Sequence, residues 1–382
     1  MSAPEEDFVH TGPETPAGRY LRMFWQPVFR AEDLAPGDAL PIRIMSEDFT
    51  LYRGESGGVH LVAFRCAHRG TQLSTGWIEG ETIRCRYHGW RYDGTGQCVE
   101  QPGEEEAFAK KIKIRSYPAK EYLGLIFAFL GEGAPPPVRR YPEMEGEGVL
   151  EVYAPEVWPC NYFNRIDNAC DAAHVVFTHR DSRLAVNELP PLPEVTAEET
   201  EYGVETKVNT PGQPNGSLHF LMPNTNHFKA SIRLRDPEAP KGTVSRLLWR
   251  VPVDDVTCIS FGLDFATLTG EAAKKYRERR REMRAATAVP AKELGPEVLQ
   301  GKLRVNDLRD QRNLKNLTSL EDYVVQVGQG AVADRLQDRL GRIDAGVILL
   351  RKIWARELRA LVEGRPLKQW EVPAVFPTTG EV

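Results

Sequence analysis

The 382-residue chain is poor in the residues on which most metal and redox chemistry depends, with eight histidines and six cysteines. Six cysteines without a secretory leader do not make a disulfide framework, so the fold is expected to rest on a hydrophobic core. There is no basic excess. Lys and Arg number 49 against 54 Asp and Glu, a formal net charge of −5, and this excludes the footprint of a nucleic-acid binder. The one basic run, KKYRERRREMR from Lys274, is interleaved with acids and reads as a solvated helix face. The longest apolar stretch, LGLIFAFLG from Leu123, is too short to span a bilayer and suits a buried strand. The acidic opening MSAPEEDF does not read as a signal peptide, so the cytoplasm is the expected compartment. No G-x-G-x-x-G follows a strand, so no dinucleotide site is expected. What is present is an ordinary globular composition, 41% apolar and 27% charged, in a length that allows two domains.

The scarce ligand residues are gathered rather than scattered. Four of the eight histidines fall in two stretches, CAHRGTQLSTGWIEGETIRCRYHGW (Cys66 to Trp90) and DNACDAAHVVFTH (Asp167 to His179). Around the first, short strands alternate with glycine-bearing turns: PIRIMSEDFTLYR, VHLVAFRC and the hairpin GWRYDGTGQCVEQ. A short helix is expected near Arg19–Trp25. PPP at 135–137, then EMEGEG, marks a boundary, which divides the chain into 1–145 and 146–382. Strands recur from about 200 to 268. The remainder is mostly helical, including Asp344–Gly364, which Gly364 and Pro366 stop.

In the first stretch Cys66-x-His68 and Cys85-x-x-His88 stand 16 residues apart, each pair beside a glycine. Two thiolates and two imidazoles could bind zinc, but zinc loops more often pair like with like. One Cys and one His per loop suits an asymmetric two-iron cluster, with one iron held by thiolates and the other by imidazoles. This is Rieske [2Fe–2S] ligation. Arg69 and Trp90 flank the ligands and are expected to pack around them.

In the second stretch Asp167, Asp171 and His174 are four and three residues apart and share a helix face. His179 lies five beyond His174, about 140° round an ideal helix, so both reach one metal only if the helix ends or bulges near Thr178. Two histidines with one carboxylate make the facial triad of non-haem Fe(II) oxygenases.

Together these motifs resemble the α-subunits of Rieske non-haem iron oxygenases, and most closely the group of phthalate dioxygenase and the dicamba, vanillate and dehydrodivanillate O-demethylases. TPAGRYLRMFWQPV, DNACDAAHVVFTH and EDYVVQVGQGAVADRLQDRLG carry the likeness. The resemblance implies an α+β chain. Residues 1–145 would be an antiparallel-β Rieske domain with an N-terminal helical arm, and 146–382 a helix-grip (START/Bet v1-like) catalytic domain. It places the cluster on Cys66, His68, Cys85 and His88. Mononuclear Fe(II) falls on His174, His179 and Asp322, with Glu321 as the alternative third ligand. Asp171 falls on the bridging aspartate, which serves a ligand histidine and a cluster histidine, and Asp167 on a second acidic or amide position. Cys170 departs from the larger apolar residue of relatives.

The activity implied is that of a terminal oxygenase. It would hydroxylate or O-demethylate an aromatic, carboxylate-bearing substrate with O₂ and electrons from a separate NAD(P)H-dependent reductase, with or without a ferredoxin, in a homotrimer. A cis-dihydroxylating ring dioxygenase is the alternative within that chemistry. A Rieske electron carrier is the alternative outside it, and it leaves more than half the chain unexplained. Arg180, Arg183, Lys229 and Arg233 are candidates to meet a substrate carboxylate. His219 and His227 are candidate pocket residues or ordinary strand histidines. Cys98, Cys160 and Cys258 read as buried small hydrophobes.

Overall fold

Alternation of apolar and polar residues between tight turns builds the first half of the chain. The computed structural model describes residues 7–180, 182, 191–212, 215–232, 241–285, 291–308 and 317–376. The chain forms two compact units, one of His10–Arg139 with Val251–Asp254, the other of Arg140–Arg250 and Asp255–Val382 with the segment ending at Val9.

The first unit opens with α1 (Pro16–Arg22), which starts a little earlier than its aromatic pattern suggested. Thr15 caps it, its hydroxyl accepting the Gly18 N–H at 3.1 Å, and Pro16 begins it. The strands are β1 (Gln26–Arg30), β2 (Ala39–Ile44), β3 (Glu47–Arg53), β4 (Val59–Ala63), β5 (Trp77–Glu79), β6 (Thr82–Arg84), β7 (Arg91–Tyr92) and β8 (Cys98–Glu100). After α2 (Glu106–Ala109) follow β9 (Ser116–Tyr117), β10 (Ala119–Tyr122) and β11 (Leu125–Ala128). They form three sheets in the orders β1-β11-β10, β2-β3-β4-β9 and β5-β6-β7-β8. Every residue of β11 is buried, as its apolar run required.

In the second unit β12 (Val149–Val152) and β13 (Glu156–Trp158) precede α3 (Tyr162–Ala169) and α4 (Ala173–Thr178). Next come β14 (Glu194–Glu199), β15 (Gly203–Asn209), β16 (Gly216–Leu221), β17 (Thr225–Ser231), β18 (Thr243–Asp254) and β19 (Thr257–Ala266). The helices α5 (Gly270–Ala285), α6 (Ala291–Leu299), α7 (Val305–Leu308), α8 (Leu317–Val327) and α9 (Ala345–Val362) follow. One eight-stranded sheet runs β12-β19-β18-β17-β16-β15-β14, with β13 also on β19. The α+β class expected from the sequence is present in both units.

Strand alternation assigns the faces of this sheet. Thr206 pairs with Leu218, Phe220 with Asn226, and Asn226 with Leu248, so these residues and Arg250 share one face. Both α9 and α3 pack there. A Cβ on Gly346 of α9 would lie 2.3 Å from Thr206 Oγ1 and from the Cys170 carbonyl, so only glycine permits that approach. Arg165 of α3 reaches Ser260 of β19. The other face carries His219, His227 and Lys229, covered by Phe376 and Glu143. The basic run lies on α5 but is not wholly solvated: Arg280 donates to Glu151 at 2.9 Å and to Asp264 at 3.2 Å. No helix among the described residues is long and apolar enough to cross a membrane.

Asp167 secures α3. It does not join Asp171 and His174 in one ligand face. Its carboxylate receives Arg335 at 3.0 Å and Arg351 of α9 at 2.8 Å. Removing it leaves two largely enclosed cations without their shared counter-ion. Asp167→Ala is expected to lower folding stability by about 3 kcal/mol, the low end for a broken buried pair because the three side chains keep 12–18% exposure. Asp167→Asn should lose less. A urea unfolding midpoint unchanged in Asp167→Ala would contradict the anchoring role.

Candidate metal centres

The first group of ligand residues stands on two loops built alike. In one, the Cys66 N–H donates to Thr71 O at 2.8 Å and the Gly70 N–H to Cys66 O at 3.0 Å. In the other, Cys85 N–H donates to Trp90 O at 2.8 Å and Gly89 N–H to Cys85 O at 3.0 Å. Gly70 and Gly89 both have positive φ, +73° and +74°, the conformation that closes each loop. The loops differ only in where the histidine falls, two residues after one cysteine and three after the other. Both thiols point into the core beside Tyr52, Leu73, Ile83 and Tyr92, while both imidazoles stand exposed. The His68 and His88 ring centroids are 4.4 Å apart.

This division fits a Rieske cluster by its donor chemistry. Thiols on the inner side and imidazoles on the outer side are what an iron pair with unlike ligands requires. Trp90 stacks on His68 at 4.5 Å and holds the ring in place, while Arg69 lies over Tyr87. Burial pushes the Cys66 thiol up, and the Tyr92 hydroxyl opposes this from 3.3 Å. Tyr92 Oη also accepts the Ala67 N–H, which leaves its own proton for the sulfur. Sequence reasoning missed Tyr92, and nothing in its spacing marks it.

The second group assembles from α3, α4 and α8. The helix expected to carry Asp167, Asp171 and His174 is broken earlier than foreseen: α3 ends at Ala169 and α4 begins at Ala173. Asp171 lies in the break. Its carboxylate accepts the N–H groups of Ala173 at 2.8 Å and His174 at 3.2 Å and so starts α4. It is the Asp171 backbone carbonyl, not the carboxylate, that meets His174 Nδ1, at 2.5 Å. This corrects the expectation that the acid side chain serves that imidazole. α4 ends at His179, its C-cap, and this brings the second ring round.

His174, His179 and Asp322 offer ligand atoms that all lie within 4.8 Å of one another. Asp322 Oδ1 is 3.9 Å from His174 Nε2 and 3.6 Å from His179 Nε2. Glu321, the alternative ligand, faces away from that point. Its Oε2 meets His179 Nδ1 at 3.0 Å and the Ser182 hydroxyl at 2.6 Å, and Thr318 supports Ser182. Each ring thus has an acceptor at Nδ1, which fixes the proton there and leaves the Nε2 lone pair turned inward. Burial holds the His174 imidazole below its ordinary range, against the pull of Asp322 and Asp171. A neutral imidazole is the form a metal needs. Gln326 Nε2 donates to Asp322 Oδ1 at 3.1 Å.

The remaining candidates disperse. Lys229 is paired with Glu143 at 2.6 Å and, with His219 and His227, lies on the sheet face turned away from α3. Arg180 is half-buried beside His179. Arg183 and Arg233 lie outside the described residues. Cys98, Cys160, Cys170 and Cys258 are all buried.

The family described as Rieske [2Fe-2S] domain matches residues 24–118. The chain is 27% identical over 390 residues to the 5,5'-dehydrodivanillate O-demethylase oxygenase subunit of Sphingobium sp. (strain NBRC 103272 / SYK-6), covering 96% of this chain and 83% of that one. It is 25% identical over 401 residues to the phthalate 4,5-dioxygenase oxygenase subunit of Pseudomonas putida, covering 95% and 88%. In fold it matches the oxygenase solved in complex with ferredoxin in carbazole 1,9a-dioxygenase, with a TM-score of 0.62, 20% identity and 95% of both chains covered. A likeness that extends across both units, rather than over the Rieske half alone, separates an oxygenase from an electron carrier. The chain belongs to the Rieske non-haem iron oxygenases, as an α-subunit whose cofactors are a [2Fe–2S] cluster and a mononuclear iron.

Proposed function

We propose that this chain is the terminal oxygenase of a multicomponent system that hydroxylates or O-demethylates an aromatic substrate. In this reading Cys66, His68, Cys85 and His88 hold the cluster, and His174, His179 and Asp322 hold the iron. The observation that carries it is the pair of imidazoles whose Nδ1 protons are already committed to Asp171 O and Glu321, so that both Nε2 atoms converge with Asp322. Iron in that triad supplies O₂ activation, with electrons arriving singly through the cluster. The protein's part would be to hold the iron with these three side chains, and such a triad leaves coordination positions for O₂. Demethylation balances as insertion of one oxygen atom into a methoxy C–H, the other leaving as water with two electrons and two protons. The resulting hemiacetal collapses to a phenol and formaldehyde. The electrons come from a separate NAD(P)H-dependent reductase, through a ferredoxin where one is used.

The name of the Sphingobium relative supports demethylation, and that of the Pseudomonas relative supports dihydroxylation. A panel of aromatic acids and methoxy-aromatics under ¹⁸O₂ with a surrogate reductase separates the two. One labelled atom, or formaldehyde release, is expected. Two labelled atoms in a cis-diol would replace demethylation with dihydroxylation, and O₂ uptake without oxygenated product on any panel member would contradict the reading.

The ligand assignments give separable losses. Cys66→Ser or Cys85→Ser should abolish the Rieske-type EPR signal of the reduced protein. His174→Ala, His179→Ala or Asp322→Ala should lose mononuclear iron and turnover while that signal stays. Glu321→Ala should keep the three ligands yet bind iron about 10–100-fold more weakly, as a lost orienting partner does. Full iron and activity in Asp322→Ala would show the third ligand misplaced.

The assembly we propose is a head-to-tail homotrimer in which His88 of one chain approaches Asp171 of the next, a heterologous contact that closes into a ring. Asp171→Asn retains an acceptor for the α4 cap and the carbonyl for His174, so iron should remain. Reduction of that iron by the cluster should become very slow. Cys66→Ser and His174→Ala chains are each inactive alone, and partial activity should return when they are co-expressed, because some neighbours then pair a working cluster with a working iron. Metal-loaded mixed trimers without any activity would refute the inter-subunit route.

A further inference from the structure

Two of the three candidate iron ligands are held from behind by acceptors, Asp171 O for His174 and Glu321 for His179. The third is a carboxylate, and what fixes a carboxylate is a donor. Asp322 is the least enclosed of the three. Its side chain is 26% exposed, against 15% for His174 and 3% for His179. Both imidazole Nε2 atoms lie too far from Oδ1, at 3.9 and 3.6 Å, to hydrogen-bond it. Among the described residues one hydrogen bond reaches this carboxylate: Gln326 Nε2 donates to Oδ1 at 3.1 Å.

Gln326 stands one turn beyond Asp322 on α8. Gln–Asp pairs at this spacing also occur on exposed helix surfaces, where both side chains stay mobile. Here the partners differ. Gln326 is 2% exposed, so the amide is fixed and the carboxylate is what it fixes. The amide must present its NH₂ edge, because the reverse orientation would set two acceptors against each other. That edge takes one lone pair of Oδ1 and leaves another for the point that His174 and His179 also face. The other half of the amide gains nothing. Gln326 Oε1 is buried and accepts no hydrogen bond among the described residues. A buried acceptor without a donor destabilises the fold relative to an apolar side chain of the same size. The amide therefore adds little to the fold, and its one hydrogen bond acts on a metal ligand.

We propose that Gln326 is a positioning residue for the mononuclear iron, holding Asp322 with Oδ1 turned toward the two imidazoles before metal arrives. This rests on the oxygenase reading above, which puts Asp322 on that metal. Each ligand then has its own support, an acceptor behind each ring and a donor on the carboxylate. Loss of the amide leaves all three ligands in place but frees the carboxylate to rotate, so metal binding has to order it first.

The test is affinity for Zn(II), a redox-inert probe of the same donor set. It is measured by competition with a chelating dye, on full-length protein stripped at the mononuclear site with its Rieske spectrum intact. Gln326→Met, which matches the amide in length, should bind Zn(II) at least tenfold more weakly than the wild type. The two histidines left in Asp322→Ala still bind Zn(II), more weakly. In that background Gln326→Met should change the affinity by less than about twofold, since no carboxylate remains to orient. Equal loss in the two backgrounds, or wild-type affinity in Gln326→Met, would overturn the role. Metal-free Gln326→Met should melt at or above the wild-type temperature, because the unpaired acceptor has gone. Gln326→Leu repeats both measurements with a different shape. A melting temperature several degrees below wild type in both variants would assign the amide to the fold instead. Wild-type Zn(II) affinity in Asp322→Ala ends the ligand assignment on which the role depends, whereas a loss there without one in Gln326→Met ends the role alone.

Discussion

The catalytic unit turns on one constraint: two imidazoles must present Nε2 to the same point, so their Nδ1 protons must be bound elsewhere. A continuous helix cannot do this with residues five apart, because it would turn them about 140° away from each other. α4 ends at Thr178, so His179 leaves the helical path at the C-cap and its ring comes round. The break after Ala169 does the rest. It frees the Asp171 carbonyl to hold His174, turns the Asp171 carboxylate into the cap of a new helix, and lets that helix end at His179. From there the requirement spreads outward. Glu321 must be on α8 to take the second Nδ1, Ser182 and Thr318 must hold Glu321, and the adjacent Asp322 is thereby aimed at the metal position.

The Rieske unit answers a different demand, since its two irons want unlike surroundings. The thiols sit in a dry interior, where a hydroxyl hydrogen bond offsets part of the cost of charge, and the imidazoles stand at the surface. Two loops with the same backbone bonds satisfy both demands by moving the histidine one position along. The short sheets around them need carry little else, which explains how two- and three-residue strands suffice.

The candidate ligands could be picked out in the sequence because metal chemistry restricts residue type and spacing so strongly. The placement of Asp322 beside the two histidines was accessible only through resemblance, since α8 lies more than 140 residues downstream and no local pattern links them. Asp167 misled, because helical spacing put it on the face of His174 while the break in the helix turned it toward Arg335 and Arg351. Lys229 and the strand histidines could not be placed without knowing which face of the sheet the helices cover, and alternation alone does not say which face that is. Tyr92 and Ser182 left no trace, since a hydroxyl acquires its role only from what folds against it.

The balance of buried charge separates two arrangements on the same helix, α3. An aspartate between two arginines satisfies all three groups and fixes α3 to α9, so it serves the architecture. Arg165 and Arg250 on one serine, Ser260, are the reverse case, because a hydroxyl can accept their bonds but cannot cancel their charge. Burial and their mutual repulsion set a local cost on this pair that the packing around it offsets.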